Sequence, residues 1–463
     1  MADRKSSASS TPQAAAAPTP LDEQDVEFLA LEGGGGKGFA YLGAIDMLEH
    51  KGVMARIRGF AGASAGAITA FLLSIGYDFK RLTDFLAETD FDEFYDPPEP
   101  RVRPSVASPG VEVTDTSPAE RAFMEGDIAL WLGELIAANA QSFARRNLGG
   151  IVASSTLARI LQTVAAREGQ GLIAAILSTN PPAVAKVLLG GGRLMKYLAF
   201  LPRDMGLFSG AAARALFERL LRQAAAKKCG GLSAMYENLG FQRHYEIFGK
   251  ELLFTGTNLR SGKTQLFSRT ATPYFPVADA VRISMGLPWV FKPYVIARQS
   301  DALDPPCGVY VDGGVWNNLP FREFDSVPPG TKMRGSAASR DQRGRGKGPR
   351  TLGLRLELTP MASVGSLWEL TAQMLAHGVL GSGESQVLDK YTAQCIPLDT
   401  RGLDLLTFSP PQDPAARNRI SNRSRRAVCR YFGWKVEDVQ PSIVDEADDA
   451  ATEQARRAAT DCS

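Results

Sequence analysis

The chain has 463 residues, 44% of them hydrophobic, with 52 Lys and Arg against 50 Asp and Glu, a formal net charge of +2. That length suits one large domain with insertions, and so small a charge excludes global steering of a polyanion such as nucleic acid. Cys229, Cys307, Cys395, Cys429 and Cys462 are odd in number and form no CxxC pair, which predicts free thiols in a reducing compartment instead of a disulfide frame.

Residues 1–22 are rich in Ser, Ala, Thr and Pro and lack the apolar run of a Sec signal peptide, so a disordered tail is expected there. Val26–Leu31 then reads as a buried strand. Gly33, Gly34, Gly35, Gly36, Lys37 and Gly38 follow, and Phe39–Leu48 carries apolar residues at helical spacing. A strand, a glycine-rich turn and a helix start place free backbone N–H groups at a positive dipole end, which suits an anion. A mononucleotide P-loop is excluded by spacing, because Leu31 stands where its first glycine should be and Gly38 where Ser or Thr should bind magnesium. Gly33, Gly35 and Gly38 match a dinucleotide fingerprint formally. The acidic ribose-binding residue that fingerprint needs about 20 residues on is replaced by the next turn. The third reading is an oxyanion hole, and it explains both glycine-rich turns together.

That next turn is Gly62-Ala63-Ser64-Ala65-Gly66, directly after the mostly apolar Ile57–Ala61. A GxSxG at a strand-to-helix junction is a nucleophile elbow, whose tight turn pushes the serine hydroxyl out of the backbone. Alone it is a weak signal, since chance supplies about 0.3 such pentapeptides in a chain of this composition. Gly59–Tyr77 carries no charge over 19 positions, the length of a membrane span. The elbow would break such a helix, so a buried strand, turn and helix is the better reading.

From about residue 117 to 230 the chain is rich in Ala and Leu at helical spacing. It reads as a helical insertion, about 100–245, before strands that begin at Leu252, and it would either cover the core or form a lid or acyl-chain channel over Ser64. Gly308–Val311 is a short strand with Asp312 at its end and Gly313 and Gly314 in a sharp turn. Asp312 fits a side-chain turn cap, and it also fits the base that a hydrolytic serine needs. Of the three histidines, His50 ends a helix, His244 lies in a polar-aromatic run and His377 in a helical pattern; none stands at a strand end beside a turn.

Taken in order, the glycine turn, the GxSxG and Asp312-Gly313-Gly314 resemble the patatin-like phospholipase family. Val281–Pro293 is similar to the segment before the catalytic Asp in bacterial members, and Val315–Pro320 to the asparagine-rich turn after it. The resemblance runs from about Val26 to Phe324, except between Pro97 and Gly249. It implies a three-layer α/β hydrolase fold with a mostly parallel central sheet, a catalytic domain over 25–326, and lipid acyl hydrolysis by a Ser–Asp dyad. Ser64 is then the nucleophile and Asp312 the general base, with Gly33 to Gly36 as the oxyanion hole. Lys37, Gly38, Gly62, Gly66, Gly313 and Gly314 would support these motifs, with Lys37 pointing outward to a substrate phosphate. No cofactor or metal is expected. Two alternatives stay open: an acyltransferase using the same acyl-enzyme, or an idle membrane-binding scaffold that keeps the fold.

Downstream, 327–350 is read as a basic flexible loop, 351–440 as a part that completes or flanks the core, and 441–463 as a charged tail. Arg417–Lys435 carries seven Lys and Arg and no acid, and ends in Tyr431-Phe432-Gly433-Trp434. Basic residues beside aromatics suit an anionic membrane surface; a solvated helix that packs its aromatics inward fits equally simple physics. Nucleic acid is not expected, for want of a recognisable module. The expected location is cytoplasmic or peripheral to a membrane. Family members injected by bacteria into host cells begin in a similar way, so export as an effector is a further expectation.

Overall fold

The computed structural model of the chain describes residues 20–94, 206–297, 299, 301–324, 350–357, 392–403, 410–411 and 413–435. His377, residues 100–205 of the expected insertion, most of the basic loop and both tails lie outside the described residues. In chain order the elements are β1 (Phe28–Leu31), α1 (Tyr41–His50), β2 (Gly59–Gly62), α2 (Ala65–Ser74), α3 (Phe79–Glu88), β3 (Gly206–Phe208), α4 (Ala211–Cys229) and α5 (Phe241–Phe248). Then come β4 (Glu251–Asn258), β5 (Lys263–Ser268), α6 (Val277–Ser284), β6 (Trp289–Phe291), β7 (Tyr294–Ile296), β8 (Gly308–Asp312), β9 (Thr351–Leu356), β10 (Cys395–Leu398) and α7 (Pro414–Phe432).

Eight of these strands form one sheet, in the order β10-β9-β1-β2-β4-β8-β7 with β5 also on β4. The first five neighbours are parallel, whereas β5, β7 and β8 pair antiparallel. This is the mostly parallel α/β architecture that the family resemblance implies. Strands β1, β2 and β4 are buried on both faces, and alternate residues divide between two cores. Leu29, Leu31, Phe60, Leu252, Phe254, Leu352 and Leu354 face the larger one, under the helices. Phe28, Ala30, Ala61 and Leu253 face a smaller one, closed by Leu319, Phe321 and Phe324.

Strand β4 organises the site. Leu253 to Asn258 pair with β5 on one edge. On the other edge β2 occupies Glu251 to Phe254 and β8 occupies Gly256 to Asn258. Because β2 runs parallel to β4 and β8 antiparallel to it, the two run toward each other and their C-terminal ends meet.

Residues 206–245 fall within the range read as an insertion. Here they form β3, α4 and the start of α5; β3 pairs with β6, and Phe217 of α4 packs edge-on against Phe71 and Phe94. This part covers the helical core.

The basic stretch Arg417–Lys435 is mostly α7, capped by Asp413 through the N–H groups of Ala415 and Ala416. It lies on α1. Arg425 pairs with Asp46 at 2.6 Å and stacks over Phe79, and Arg423 reaches Asp399 at 3.5 Å. Phe432 and Trp434 are stacked, and the indole N–H of Trp434 donates to Glu23 at 2.7 Å. The aromatics are therefore part of the packing, and Arg417, Arg430 and Lys435 are the exposed cations. Among the described residues no helix is long and apolar enough to cross a membrane.

Candidate active site

The elbow forms because two strands and a helix must approach within van der Waals contact at Gly62 and Gly66. A Cβ on Gly62 would sit 2.3 Å from the Gly66 carbonyl, and one on Gly66 would sit 2.2 Å from Leu31 O. Only glycine fits at either position, which explains the GxSxG spacing. Between them Ser64 is forced to φ 50°, ψ −122°, a conformation that costs a non-glycine residue about 1–3 kcal/mol. Ser64 is nearly buried and stands at the N-terminal end of α2, where the helix dipole is positive.

The glycine turn lies directly against this serine, since a Cβ on Gly33 would come within 3.0 Å of Ser64 Cβ. Its four candidate donors are not equivalent. Gly33 N–H donates to Asn318 O at 3.0 Å, and Asn318 Nδ2 donates back to Gly33 O at 3.1 Å. Gly33 therefore cannot offer its N–H to an oxyanion, and the expectation for that residue is corrected. Gly34, Gly35 and Gly36 precede or open the short 3-10 helix Gly35–Ala40, where the first N–H groups have no intrahelical partner. Gly35 sits at φ 53°.

Lys37 also differs from expectation. It does not point outward: it is buried at 7% exposure, and its charge acts on Glu32. Glu32 is itself buried and accepts the Leu356 N–H at 2.6 Å. Burial pushes its carboxyl up to about 7, against the opposing pull of that bond, Arg355, Asn318 and Lys37. A buried carboxyl on the same turn gives the ammonium a reason to stay inside.

Asp312 ends β8, fully buried. Its two oxygens divide the two roles read from the sequence. Oδ1 accepts the Gly314 N–H at 2.7 Å and caps the turn. Oδ2 is buried without a hydrogen-bond partner within bonding geometry. Burial pushes the carboxyl up to about 7, opposed by the Gly314 bond and by the neighbouring Ser64 hydroxyl. Ser64 is thus close enough to be felt by Asp312 although the oxygen–oxygen geometry falls short of a hydrogen bond.

None of the described histidines takes part. His50 closes α1 at the surface. His244 is fully buried and bonds Ser74 Oγ at 2.9 Å, at the far end of α2, about 14 Å along its axis from Ser64. Since Ser74 Oγ donates to Phe71 O, the ring donates through Nε2, and burial, which lowers its pKa to about 3, keeps it neutral. Sequence reasoning missed Ser284, whose Oγ accepts the Ser64 backbone N–H at 3.1 Å. Ser284 lies in the Val281–Pro293 segment that resembles the family, but that resemblance gave it no role.

The family model for patatin-like phospholipase matches residues 29–325. The chain belongs to this family. A probable lipid hydrolase of Invertebrate iridescent virus 6 is 28% identical over 116 residues, covering 25% of this chain and 34% of that protein. YqhO of Bacillus subtilis is 42% identical over 64 residues, 14% of this chain and 21% of YqhO. The chain thus spans about a third or less of these relatives. Among solved structures, VipD from Legionella pneumophila aligns at 18% identity over 88% of this chain and 67% of VipD, with a TM-score of 0.40. ExoU of Pseudomonas aeruginosa, solved with SpcU, aligns at 17% identity over 94% of this chain and 61% of the other, with a TM-score of 0.35.

Proposed function

We propose that this patatin-like protein hydrolyses carboxylic esters of lipids or phospholipids through a Ser64–Asp312 dyad. The observation that carries the reading is Asp312: a fully buried carboxyl, pushed up to about 7, with Oδ2 unpartnered beside a serine in strained backbone. An ordinary Asp, near 3.9, is too weak a base at neutral pH; one near 7 is well matched to the task.

Ser64 Oγ attacks the ester carbonyl carbon while Asp312 Oδ2 takes its proton. The carbonyl oxygen becomes an oxyanion facing the N–H groups of Gly34, Gly35 and Gly36, and each such donor contributes about 3–4 kcal/mol in serine hydrolases. Collapse breaks the ester C–O bond, and the departing alkoxide receives the proton held by Asp312. Water then attacks the acyl-Ser64, with Asp312 again accepting a proton, and the carboxylic acid leaves as Ser64 is restored.

The test is incubation of purified protein with phosphatidylcholine and phosphatidylglycerol vesicles, with free fatty acid and lysolipid measured. The parent chain is expected to release both and Ser64→Ala neither. Release by Ser64→Ala at the parental rate would refute the reading.

A further inference from the structure

What holds Ser64 and Asp312 together converges on one short turn. Helix α6 is buried along its whole length. Asp279 anchors it, with Arg214 Nε and Nη2 each donating at 3.0 Å and the Tyr294 hydroxyl at 3.1 Å. Arg282 anchors it again, its guanidinium donating to the carbonyls of Ser209 and Lys292 at 2.6 Å. At the C-terminal end of this pinned helix, Ser284 Oγ accepts the Ser64 N–H across 220 positions of sequence. Two residues on, Gly286 O accepts the Asp312 N–H at 2.9 Å. One turn therefore grips the main chain of both residues.

We propose that Ser284 is a positioning residue for the nucleophile. Its hydroxyl oxygen takes up the N–H of Ser64, which has two effects. It fixes the strained backbone so that the side chain stays beside Asp312 Oδ2, and it withdraws the nucleophile's own N–H from the oxyanion, which is left to the glycine turn. Both partners are buried, so no water replaces the acceptor if it is removed, and the elbow must shift to find another. This inference rests on Ser64 being the nucleophile.

The experiment compares Ser284→Ala and Ser284→Thr in the full chain, with Ser64→Ala alongside. It measures kcat and KM on a p-nitrophenyl ester and the rate of labelling by a fluorophosphonate. Ser284→Ala is expected to lower kcat and the labelling rate together by about 10- to 100-fold, with KM within about twofold and a parental circular dichroism spectrum. Ser284→Thr, which keeps the acceptor, is expected to recover most of that loss. If the Ala variant does not fold, Ser284→Cys, a weak acceptor, takes its place with the same expectation. A folded Ser284→Ala with parental kcat, or a folded Thr variant as slow as the Ala one, overturns the proposal. Parental activity in Ser64→Ala would overturn the nucleophile assignment and this inference together. An inactive Ser64→Ala beside a fully active Ser284→Ala would overturn this inference alone.

Discussion

Gly62 and Asp312 pair with the same edge of β4, Gly62 opposite Phe254 and Asp312 opposite Gly256. Two residues of one strand thus bring together positions separated by 250 in the chain (312 − 62). The β4 edge acts as a ruler: β2 delivers the elbow from one direction and β8 the carboxylate from the other. Rigid strand ends, in place of loops, set the distance on which the proposed proton transfer depends.

The first prediction follows from that shared edge. Ser64→Ala and Asp312→Asn should each lower kcat on a soluble ester by at least about 10³-fold, and the double variant should be no worse than either. Parental spectra would show that folding is intact. Additive losses in the double variant would mean that the two residues do not act as one unit.

The oxyanion donors can be probed at Gly35. At φ 53° an alanine is strained by about 1–2 kcal/mol and the turn must rotate its N–H groups away. Gly35→Ala should reduce kcat by about 10²-fold or more while the chain stays folded. Normal turnover would assign the turn to the fold alone.

To act as base in the proposed dyad Asp312 must be ionised, and burial pushes its carboxyl up to about 7. On a neutral ester, kcat/KM should rise with pH through a limb near 7; a limb near 4 would contradict the buried base. Stability runs the opposite way. The folded carboxyl binds its proton more tightly than the unfolded one, so its effect on stability is favourable at low pH and is lost as pH rises from about 4 to about 7. Asp312→Asn should therefore melt higher than the parent at pH 8, and the gap should narrow toward pH 4.

His244 predicts the reverse trend. Burial lowers its imidazole to about 3, with Lys228 adding to the shift. A folded value below the unfolded one makes stability present above about 6.5 and lost as pH falls toward 3. His244→Phe, which preserves packing beside Phe248, should flatten the acid limb of a melting-temperature profile and leave kcat near parental. A folded but inactive His244→Phe would restore a histidine to the mechanism.

For α7 the structure separates two kinds of arginine. Arg425→Glu sets a carboxylate against Asp46, where an ion pair now stands at 2.6 Å, and should lower the melting temperature by several degrees. Reversal at exposed Arg417, Arg430 and Lys435 should leave melting unchanged. Any binding to anionic vesicles should weaken and lose its salt dependence. Unchanged vesicle binding would place membrane contact elsewhere.

How far the site was legible depends on how local its physics is. The elbow, the glycine turn and Asp312-Gly313-Gly314 announce themselves because each is a backbone conformation that few residues tolerate. Helix α1 and strands β1 and β8 came within about two residues of their expected bounds because apolar runs and helical spacing are local signals too. Lys37 misled because its environment is set by Glu32, whose burial depends on β9, more than 300 positions away. Gly33 misled because its donor is claimed by Asn318 across 285 positions. The bond from Ser64 to Ser284 is likewise a tertiary fact, whereas the helix that packs its aromatics inward was among the readings the Arg417–Lys435 stretch offered.

The place of β1 in the sheet has a consequence for how the protein is made. Phe28 pairs with Gly59 on one side and with Thr351 on the other, so β1 keeps an open edge until β9 arrives. Between the appearance of Gly62 and that of Leu356 a ribosome must add 294 residues (356 − 62), about 15 to 60 seconds of synthesis. The family match stops at residue 325, before the strand that closes this edge. During translation Ser64 and the glycine turn therefore exist long before β9, and a chain that ends before Thr351 leaves one edge of β1 without its partner strand.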